Sequence, residues 1–413
     1  MKLMVYSHDA FGLGNIRRMM AICDYLLKAL PDLSILVVSG SAALHQLRLP
    51  KGLDYIKLPC LGRDEVGTLG VRFLHTEVDE TVQLRSQLIR TVAAHFQPDL
   101  LLVDKKPDGL KGELQPTLDD LQRYRPEARR VLLLRDILDS PEATVAQWQH
   151  HHYYTTAENH YDQVWIVGTP DIFDAPQHYQ FPPGLRAKTR FTGYVRRGCG
   201  RRSALEMRQS LGLSATDPLV LVTPGGGGDG FRLVNTYLQA LAMLPPDQTL
   251  TSVIIGGPEL PAAQKPMLLR HIETTPRTQW LDFTDDLASY MVAADAVVSM
   301  GGYNTVCEIL SLGKRAIIVP RTEPVQEQWI RAERMAQMGL FEVIHPDHLT
   351  PEALMQSLLS QLAAPMSQPP TAIDMDALPR ITNLMLGLLK PKPCCFDRFI
   401  HPHVFSNVEV AVS

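Results

Sequence analysis

The sequence predicts an α/β protein with two doubly wound parallel sheets, one in each half of the chain. Short apolar runs alternate with longer amphipathic stretches, and this alternation stops near residues 193–210 and then restarts. Near-continuous apolar strands separated by helices are typical of parallel sheets that are buried on both faces. The 413 residues are enough for two or three domains of ordinary size.

The candidate strands and helices follow from these apolar runs. In the first half we expect a helix over residues 15–30, and in the second half helices over residues 305–312 and 381–389. The candidate strands of the first half are residues 3–6, 33–38, 100–103, 130–134 and 163–167. Those of the second half are residues 218–223, 251–255, 296–299 and 316–319.

The predicted domain boundaries follow from the change in composition after residue 193, where the alternation of apolar runs stops. We expect an N-terminal Rossmann-like domain over residues 1–195, a linker over 196–214, a C-terminal Rossmann-like domain over 215–375, and a helix and tail over 376–413. The Gly- and Arg-rich stretch 193–203 fits a solvated linker, and a basic ligand patch is the alternative.

Composition excludes several classes of protein. With 45% hydrophobic and 20% charged residues, the chain is neither disordered nor fibrous. A net charge of −4 provides no basic field for nucleic acid. The six scattered cysteines form no CxxC spacing, so neither a zinc site nor a disulfide framework is expected. The sequence shows neither a signal peptide pattern nor an apolar run of about 18 residues, so we expect a cytoplasmic protein.

The first strand-to-helix turn contains Gly12 and Gly14. Such a turn lets a ligand approach the backbone and offers free N–H groups at the helix start. A dinucleotide fingerprint is not present, because Arg17 occupies the place of the third glycine and no acidic residue follows the second strand.

The first turn of the second half contains a run of glycines. Gly225, Gly226, Gly227 and Gly228 are followed by Asp229 and Gly230, between a buried strand and a helix. Successive backbone N–H groups in this position predict a nest for a diphosphate, and the alternative is a merely flexible loop.

A second turn in this half ends the strand at residues 296–299. Gly301, Gly302, Asn304 and Thr305 form this turn and open a helix that contains Glu308. A carboxylate accepts two hydrogen bonds and therefore suits a ribose diol. The alternative is a Glu that only stabilises the helix start.

These segments resemble the C-terminal domain of MurG-like glycosyltransferases, which have the GT-B fold and bind a nucleotide-sugar donor between two Rossmann-like domains. The resemblance is most specific at residues 223–231 and 282–328. It implies that the glycine loop holds the diphosphate, that Phe283 and Thr284 contact uracil, and that Glu308 holds the ribose. It also implies sugar contacts at Glu327 and Gln328, where the family has two Gln residues.

The resemblance is weaker at the N-terminal turn. MurG-like proteins carry G-x-G-H there, whereas this chain has Asn15 in place of the His. Asn cannot accept a proton at neutral pH. The catalytic candidates are therefore His8, Asp9, Asn15 and Asp136, with Asp104 as a further carboxylate, and a reaction without a strong base remains an alternative.

The sequence thus predicts an inverting, metal-independent glycosyltransferase that uses a UDP-sugar as co-substrate and no other cofactor. Lys105, Lys106 and Arg135 follow N-terminal strands and are expected to contact an anionic acceptor or the donor phosphates, or else to be surface ion-pair residues. The acceptor is a small molecule or is lipid-linked, and peripheral membrane contact is expected in the second case. A nucleotide-sugar epimerase or hydrolase, or a binding protein without turnover, are the alternative functions.

Overall fold

The computed structural model describes residues 1–7, 14–41, 44, 49–63, 68–245, 249–364 and 372–390. It confirms two parallel sheets. The elements of the N-terminal half are β1 (Lys2–Ser7), α1 (Gly14–Ala29), β2 (Ser34–Ser39), β3 (Leu53–Lys57), β4 (Leu61–Arg63), β5 (Leu69–Val71), α2 (Val78–Phe96), β6 (Leu100–Asp104), α3 (Gln115–Tyr124), β7 (Arg129–Arg135), α4 (Pro141–His150), α5 (Tyr153–His160), β8 (Gln163–Val167), α6 (Ala175–His178), α7 (Pro183–Lys188) and β9 (Thr189–Phe191).

The second half repeats the alternation of helices and strands. Its elements are α8 (Ala204–Ser210), β10 (Leu219–Thr223), α9 (Phe231–Leu241), β11 (Thr251–Ile255), α10 (Lys265–Glu273), β12 (Thr278–Leu281), α11 (Leu287–Ala293), β13 (Ala296–Ser299), α12 (Tyr303–Ser311), β14 (Arg315–Ile318), α13 (Glu327–Gln337), β15 (Glu342–Val343), α14 (Pro351–Ala363) and α15 (Ala377–Leu389).

The order of the strands shows at which turns a ligand is expected to bind. The N-terminal sheet has the order β3-β2-β1-β6-β7-β8-β9 and the C-terminal sheet the order β12-β11-β10-β13-β14-β15, and every pair in both is parallel. The order reverses between β1 and β6 in the first sheet and between β10 and β13 in the second. Ligands of doubly wound sheets bind outside the carboxyl ends of strands at such reversals. We therefore expect a ligand to bind near the carboxyl ends of β1, β10 and β13.

One continuous hydrophobic cluster joins the two halves. It contains the core of the N-terminal sheet together with Leu221, Val253 and Val297 on one face of the C-terminal sheet. A separate cluster, which includes Val222 and Ile254, covers the opposite face of that sheet. Since adjacent strand residues point to opposite faces, only one face of the C-terminal sheet connects to the N-terminal core.

The segment predicted as a linker is structured in part. Residues 198–203 are exposed, but α8 follows them and packs against α11. Ser203 and Glu206 form a capping box at the start of α8. The Arg208 side chain is buried and donates to the backbone oxygens of Ala293 and Ser214 at 2.7 and 3.1 Å. This segment is therefore fixed to the C-terminal domain.

The end of the described chain returns to the N-terminal domain. Val195 and Asp376 form an isolated antiparallel bridge, and α15 then packs against α1. Ile381 and Met385 are buried in this contact, so the apolar side of α15 belongs to the core. Within the described part of the chain, no helix combines the length and the apolar character that crossing a bilayer requires.

Candidate functional site

The glycine loop after β10 packs backbone against backbone. Gly225 and Gly227 have φ values of 85° and 93°, which L-residues with a side chain rarely adopt. A Cβ at Gly227 would overlap the carbonyl oxygen of Gly256, in the turn after β11. Among the described residues, the N–H groups of Gly226, Gly227 and Gly228 find no hydrogen-bond acceptor. The glycines thus produce a close-packed turn with N–H groups available to an anion.

The turn after β13 lies beside this loop. Gly225 is close enough to α12 that a Cβ there would be 3.8 Å from Thr305 Oγ1. A Cβ at Gly301 would lie only 3.0 Å from the backbone oxygen of Gln328, so glycine is needed for close packing there. The first turn of α12 has free N–H groups and the positive end of the helix dipole, and both favour an anion at this edge.

Glu308 projects from α12 into the same region. Its side chain is 7% exposed, and Oε1 lies 3.3 Å from Arg17 Nη2 of the N-terminal domain. Oε2 is buried and has no hydrogen-bond partner among the described residues. Burial raises the pKa of Glu308, and the neighbouring Arg17 and Arg197 oppose this effect. A buried acceptor without a donor is costly, so Oε2 is suited to accept a hydrogen bond from a ligand.

Asn304 connects the two domains at the edge of this site. Its Nδ2 donates to the carbonyl oxygen of Gly14 at 2.8 Å, and its Oδ1 accepts from Arg197 Nη2 at 2.6 Å. The start of α1 is therefore held against the start of α12. The predicted donor residues Gly14, Asn304, Thr305 and Glu308 are brought together by these contacts, although no ligand contact is established for them.

Phe283 and Thr284 follow β12 at the far side of the glycine loop. Phe283 is 53% exposed, which leaves its ring accessible to a planar ligand. Thr284 Oγ1 accepts from Asp286 N at 3.1 Å and so fixes the turn. Asp285 and Asp286 both bind Arg201, and this contact ties the turn to the segment before α8.

Glu327 does not have the surroundings expected of a residue that contacts sugar hydroxyls. Its side chain is 4% exposed, and its carboxylate oxygens lie 2.7 Å from Arg331, 3.5 Å from Arg135 and 3.7 Å from Arg321. Burial would raise its pKa, but Arg331 and Arg135 outweigh this and lower the pKa to about 2. Glu327 is therefore an ionised member of an arginine cluster. The neighbouring Gln328 is also buried and accepts from Arg321 N at 3.1 Å.

A cavity of about 200 Å³ lies beside Asp229, the residue that follows Gly228 in the glycine loop. Asp229 and Arg232 line it from α9 and the turn before that helix, and Arg321 and Glu323 line it from the segment after β14. Arg321 also pairs with Asp229 at 3.3 Å. Space for a further part of a ligand thus adjoins the predicted diphosphate nest.

Asp136, one of the predicted catalytic residues, lies in a buried ion pair, and its catalytic role stays a prediction. Its two carboxylate oxygens accept from Arg331 Nε and Nη2 at 2.6 and 2.8 Å, and Tyr194 donates to one of them at 3.0 Å. The Asp136 side chain is 1% exposed and that of Arg331 is fully buried. Both carboxylate oxygens of Asp136 are therefore occupied by partners within the protein. Asp136 joins the two domains.

The predicted acceptor residues lie at the ends of β6 and β7. Lys105 and Lys106 are partly buried, and Lys105 has a φ of 71°. Burial lowers the pKa of Lys105 to about 8, and the nearby Arg135 and Lys106 act in the same direction. Lys105 thus lies beside two further positive charges, which disfavour its own charged form.

The N-terminal turn is described only from Gly14 onward. His8 and Asp9, two of the predicted catalytic residues, lie outside the described residues. Asn15 Oδ1 accepts from Arg18 Nη2 at 3.3 Å, and Arg18 in turn binds Asp104 at 2.6 Å. Asn15 thus has a local partner, and its catalytic role stays a prediction.

Comparison with known proteins identifies the C-terminal half. Residues 219–379 match the glycosyltransferase family 28 C-terminal domain. A UDP-N-acetylglucosamine–N-acetylmuramyl-(pentapeptide) pyrophosphoryl-undecaprenol N-acetylglucosamine transferase from Haemophilus influenzae is 29% identical over 133 residues, which cover 32% of this chain and 37% of the relative. The match to this relative therefore spans about a third of either protein.

Solved structures show the same architecture over nearly the whole chain. The MurG structure from Acinetobacter baumannii superposes with a TM-score of 0.58 at 15% identity and covers 94% of this chain and 99% of that one. The chain therefore has the GT-B fold, and its residues 219–379 are similar to the C-terminal domain of family 28 glycosyltransferases. The UDP-GlcNAc 2-epimerase from Methanocaldococcus jannaschii has the same fold, with a TM-score of 0.59, 11% identity, and coverage of 94% of this chain and 100% of that one.

Sequence reasoning missed three arginines that contact residues of the candidate site. Arg331 follows Glu327 by four residues on α13, a spacing that favours an ion pair, and this was the available signal. Arg17 and Arg197 have contacts that are distant along the chain, so no local pattern indicates them.

Proposed function

We propose that the chain is a glycosyltransferase that transfers a sugar from a UDP-sugar to a hydroxyl of an acceptor, with inversion at the sugar C1. The observation that carries the proposal is Glu308. It is a buried carboxylate with one oxygen unpartnered, one helical turn beyond Thr305 and the glycine loop. A ribose diol would supply the missing donors while the glycine loop receives the diphosphate.

The proposed reaction breaks the bond between the sugar C1 and the diphosphate oxygen, and that oxygen keeps the electron pair. The acceptor oxygen attacks the opposite face of C1 and gives its proton to a base. The N–H groups of Gly226–Gly228 and of the α12 start would stabilise the charge that develops on the diphosphate. We therefore expect turnover to persist in a chelator such as EDTA.

His8 and Asp9 are the proposed candidates for the base. Two other carboxylates of the cleft are already engaged: Asp136 is paired with Arg331, and Glu327 is ionised within its arginine cluster. His8 and Asp9 directly follow β1 in the sequence, and the carboxyl end of β1 adjoins the turn that leads to Gly14. Loss of turnover in His8→Ala or Asp9→Asn, with unchanged donor binding, would identify the base.

The acceptor is proposed to carry an anionic group, because Lys105 lies beside two further positively charged side chains, those of Arg135 and Lys106. The Haemophilus influenzae relative is named for an acceptor with a pyrophosphoryl-undecaprenol group. A lipid-linked acceptor and peripheral membrane contact are therefore part of this proposal.

The proposal is tested by measuring melting temperature with UDP, GDP, dTDP and their common sugar conjugates. A bound ligand raises the apparent stability by mass action, so the UDP series should give the largest shift. Incubation of UDP-GlcNAc without acceptor then separates a transferase from an epimerase or hydrolase. Release of an epimer or of free sugar at a rate comparable to transfer would overturn the transferase proposal.

A further inference from the structure

Arg17 reaches across the cleft to the carboxylate at the predicted ribose position. It lies in the first turn of α1, in the N-terminal domain, whereas Glu308 lies on α12 in the C-terminal domain. Nη2 of Arg17 is 3.3 Å from Glu308 Oε1. The Arg17 side chain is 40% exposed and that of Glu308 only 7%, so the arginine covers the carboxylate from the cleft side.

A nucleotide would compete with this ion pair. A ribose diol has two hydroxyl donors, and Glu308 has two acceptor oxygens, of which Oε2 is buried and unpartnered. A diol that uses both oxygens would share Oε1 with Arg17 or displace it, and displacement leaves the guanidinium available to another anion. A contact of 3.3 Å to a side chain that is 40% exposed is a weak one, because solvent screens it.

A released Arg17 would still lie near the phosphates of the nucleotide. The glycine loop comes within van der Waals distance of Thr305, as the 3.8 Å separation from a Cβ at Gly225 shows. Thr305 and Glu308 are three residues apart on α12 and therefore share one face of the helix. The start of α1 is held there by the 2.8 Å hydrogen bond from Asn304 to Gly14. Diphosphate and ribose positions thus both adjoin the first turn of α1.

Arginine is suited to such an exchange. Its guanidinium stays charged across the physiological pH range and binds phosphate through two parallel N–H donors. The positive ends of α1 and α12 also meet here, so a negative ligand would be favoured over a second carboxylate partner.

We propose that Arg17 is a donor-binding residue of the N-terminal domain, which exchanges Glu308 for a phosphate of the nucleotide when the donor binds. This inference rests on the proposed function. If Arg17 acts in this way, the N-terminal domain recognises the diphosphate but not the nucleoside. The bound nucleotide then replaces the direct contact between Arg17 and Glu308.

The test compares UDP with uridine by isothermal titration calorimetry, on the wild type, Arg17→Ala and Arg17→Lys. For Arg17→Ala we expect about a tenfold loss of UDP affinity, as for a lost hydrogen bond to a charged group, with uridine affinity unchanged or higher. Arg17→Lys keeps the charge but not the two parallel donors, so it should lose less UDP affinity than Arg17→Ala.

Lys28→Ala is the matched control. Lys28 lies on the same helix and pairs with Asp24 at 2.6 Å, but it is exposed at the opposite end of α1. Both affinities should stay unchanged in this variant. Parallel losses of UDP and uridine in Arg17→Ala, no loss of either, or tighter binding of UDP would each overturn the Arg17 proposal alone. A wild type that binds neither UDP nor uridine would overturn the proposed UDP-sugar donor and this inference with it.

Discussion

Arg331 and Asp136 form a two-bond ion pair between the domains, at 2.6 and 2.8 Å, with both side chains almost fully buried. Removal of one partner from a buried pair leaves the other charge uncompensated. Tyr303 adds to this centre, because the guanidinium groups of Arg18 and Arg331 each lie 5.6 Å from its ring centroid.

Asp136→Asn should lower the free energy of unfolding by about 3–5 kcal/mol, measured by urea denaturation. Asp120→Asn is the matched control, since Asp120 also binds an arginine through two bonds but is partly exposed, and a loss below about 1 kcal/mol is expected there. An Asp136→Asn variant with wild-type stability but no turnover would support a catalytic role for Asp136. It would contradict the interpretation that Asp136 mainly stabilises the contact between the domains.

Glu308→Gln should weaken UDP binding by about 1–3 kcal/mol, because a neutral amide accepts from the ribose less strongly and places an N–H₂ against a donor. The fold should be retained, since burial disfavours the charged form of Glu308. Calorimetry with UDP measures the effect, and the exposed Glu352→Gln serves as the control. An unchanged affinity of Glu308→Gln for UDP would contradict the proposal that Glu308 binds the ribose.

Glu327→Gln should lower the free energy of unfolding at neutral pH by about 3 kcal/mol. The ionised carboxylate contributes this stability above its ordinary pKa, and the contribution is lost as the pH falls toward the folded value of about 2. The difference between wild type and variant should therefore narrow from about pH 5 to about pH 3, as followed by urea unfolding at each pH. A constant difference over this range would contradict the arginine-cluster interpretation.

Lys105→Met should be more stable than the wild type at pH 7, by about 1–3 kcal/mol, because it removes a charge whose burial is unfavourable. Between the folded pKa of about 8 and the ordinary value of 10.5, the unfolded wild-type chain binds more protons than the folded one, so wild-type stability rises with pH. The advantage of Lys105→Met should therefore shrink over this range. The exposed Lys51→Met should show no such pH dependence.

Gly227→Ala and Gly228→Ala form a matched pair within one loop. A Cβ at Gly227 would overlap the Gly256 carbonyl at a φ of 93°, whereas a Cβ at Gly228 would have its nearest neighbours at 3.9 Å. Gly227→Ala should lower the melting temperature and abolish UDP binding, because the loop must move to relieve the clash. Gly228→Ala should keep the wild-type melting temperature. Equal melting temperatures for the two variants would show that the close packing does not constrain the loop.

The sequence predicts the interior strands well and the edges poorly. Residues 100–103 and 296–298 are apolar without interruption because helices cover both faces of these strands, and the structure confirms the predicted strands as β6 and β13. In contrast, Leu53–Lys57 and Thr278–Leu281 contain polar residues and are only partly buried, so no apolar run marks β3 or β12. Tertiary pairing rather than local composition forms these two strands.

In the candidate site, too, some features can be predicted from the sequence and others cannot. Glycine spacing after a buried strand predicts the close-packed turns at Gly225–Gly230 and Gly301, because backbone geometry is a local property. The partner of a charged side chain is not local. The ion pairs of Asp136 and Glu308 join residues 195 and 291 positions apart, and only the folded chain shows which carboxylates are occupied.

The bridge between Val195 and Asp376 has a mechanical consequence. The polypeptide crosses between the lobes twice, and Tyr194 N donates to Asp374 O at 2.8 Å where the crossings run side by side. Two adjacent strands resist twisting about their common direction more than they resist bending. Any opening of the lobes should therefore follow a bending axis through this pair, and the ion pair of Asp136 lies close to that axis because Tyr194 contacts both.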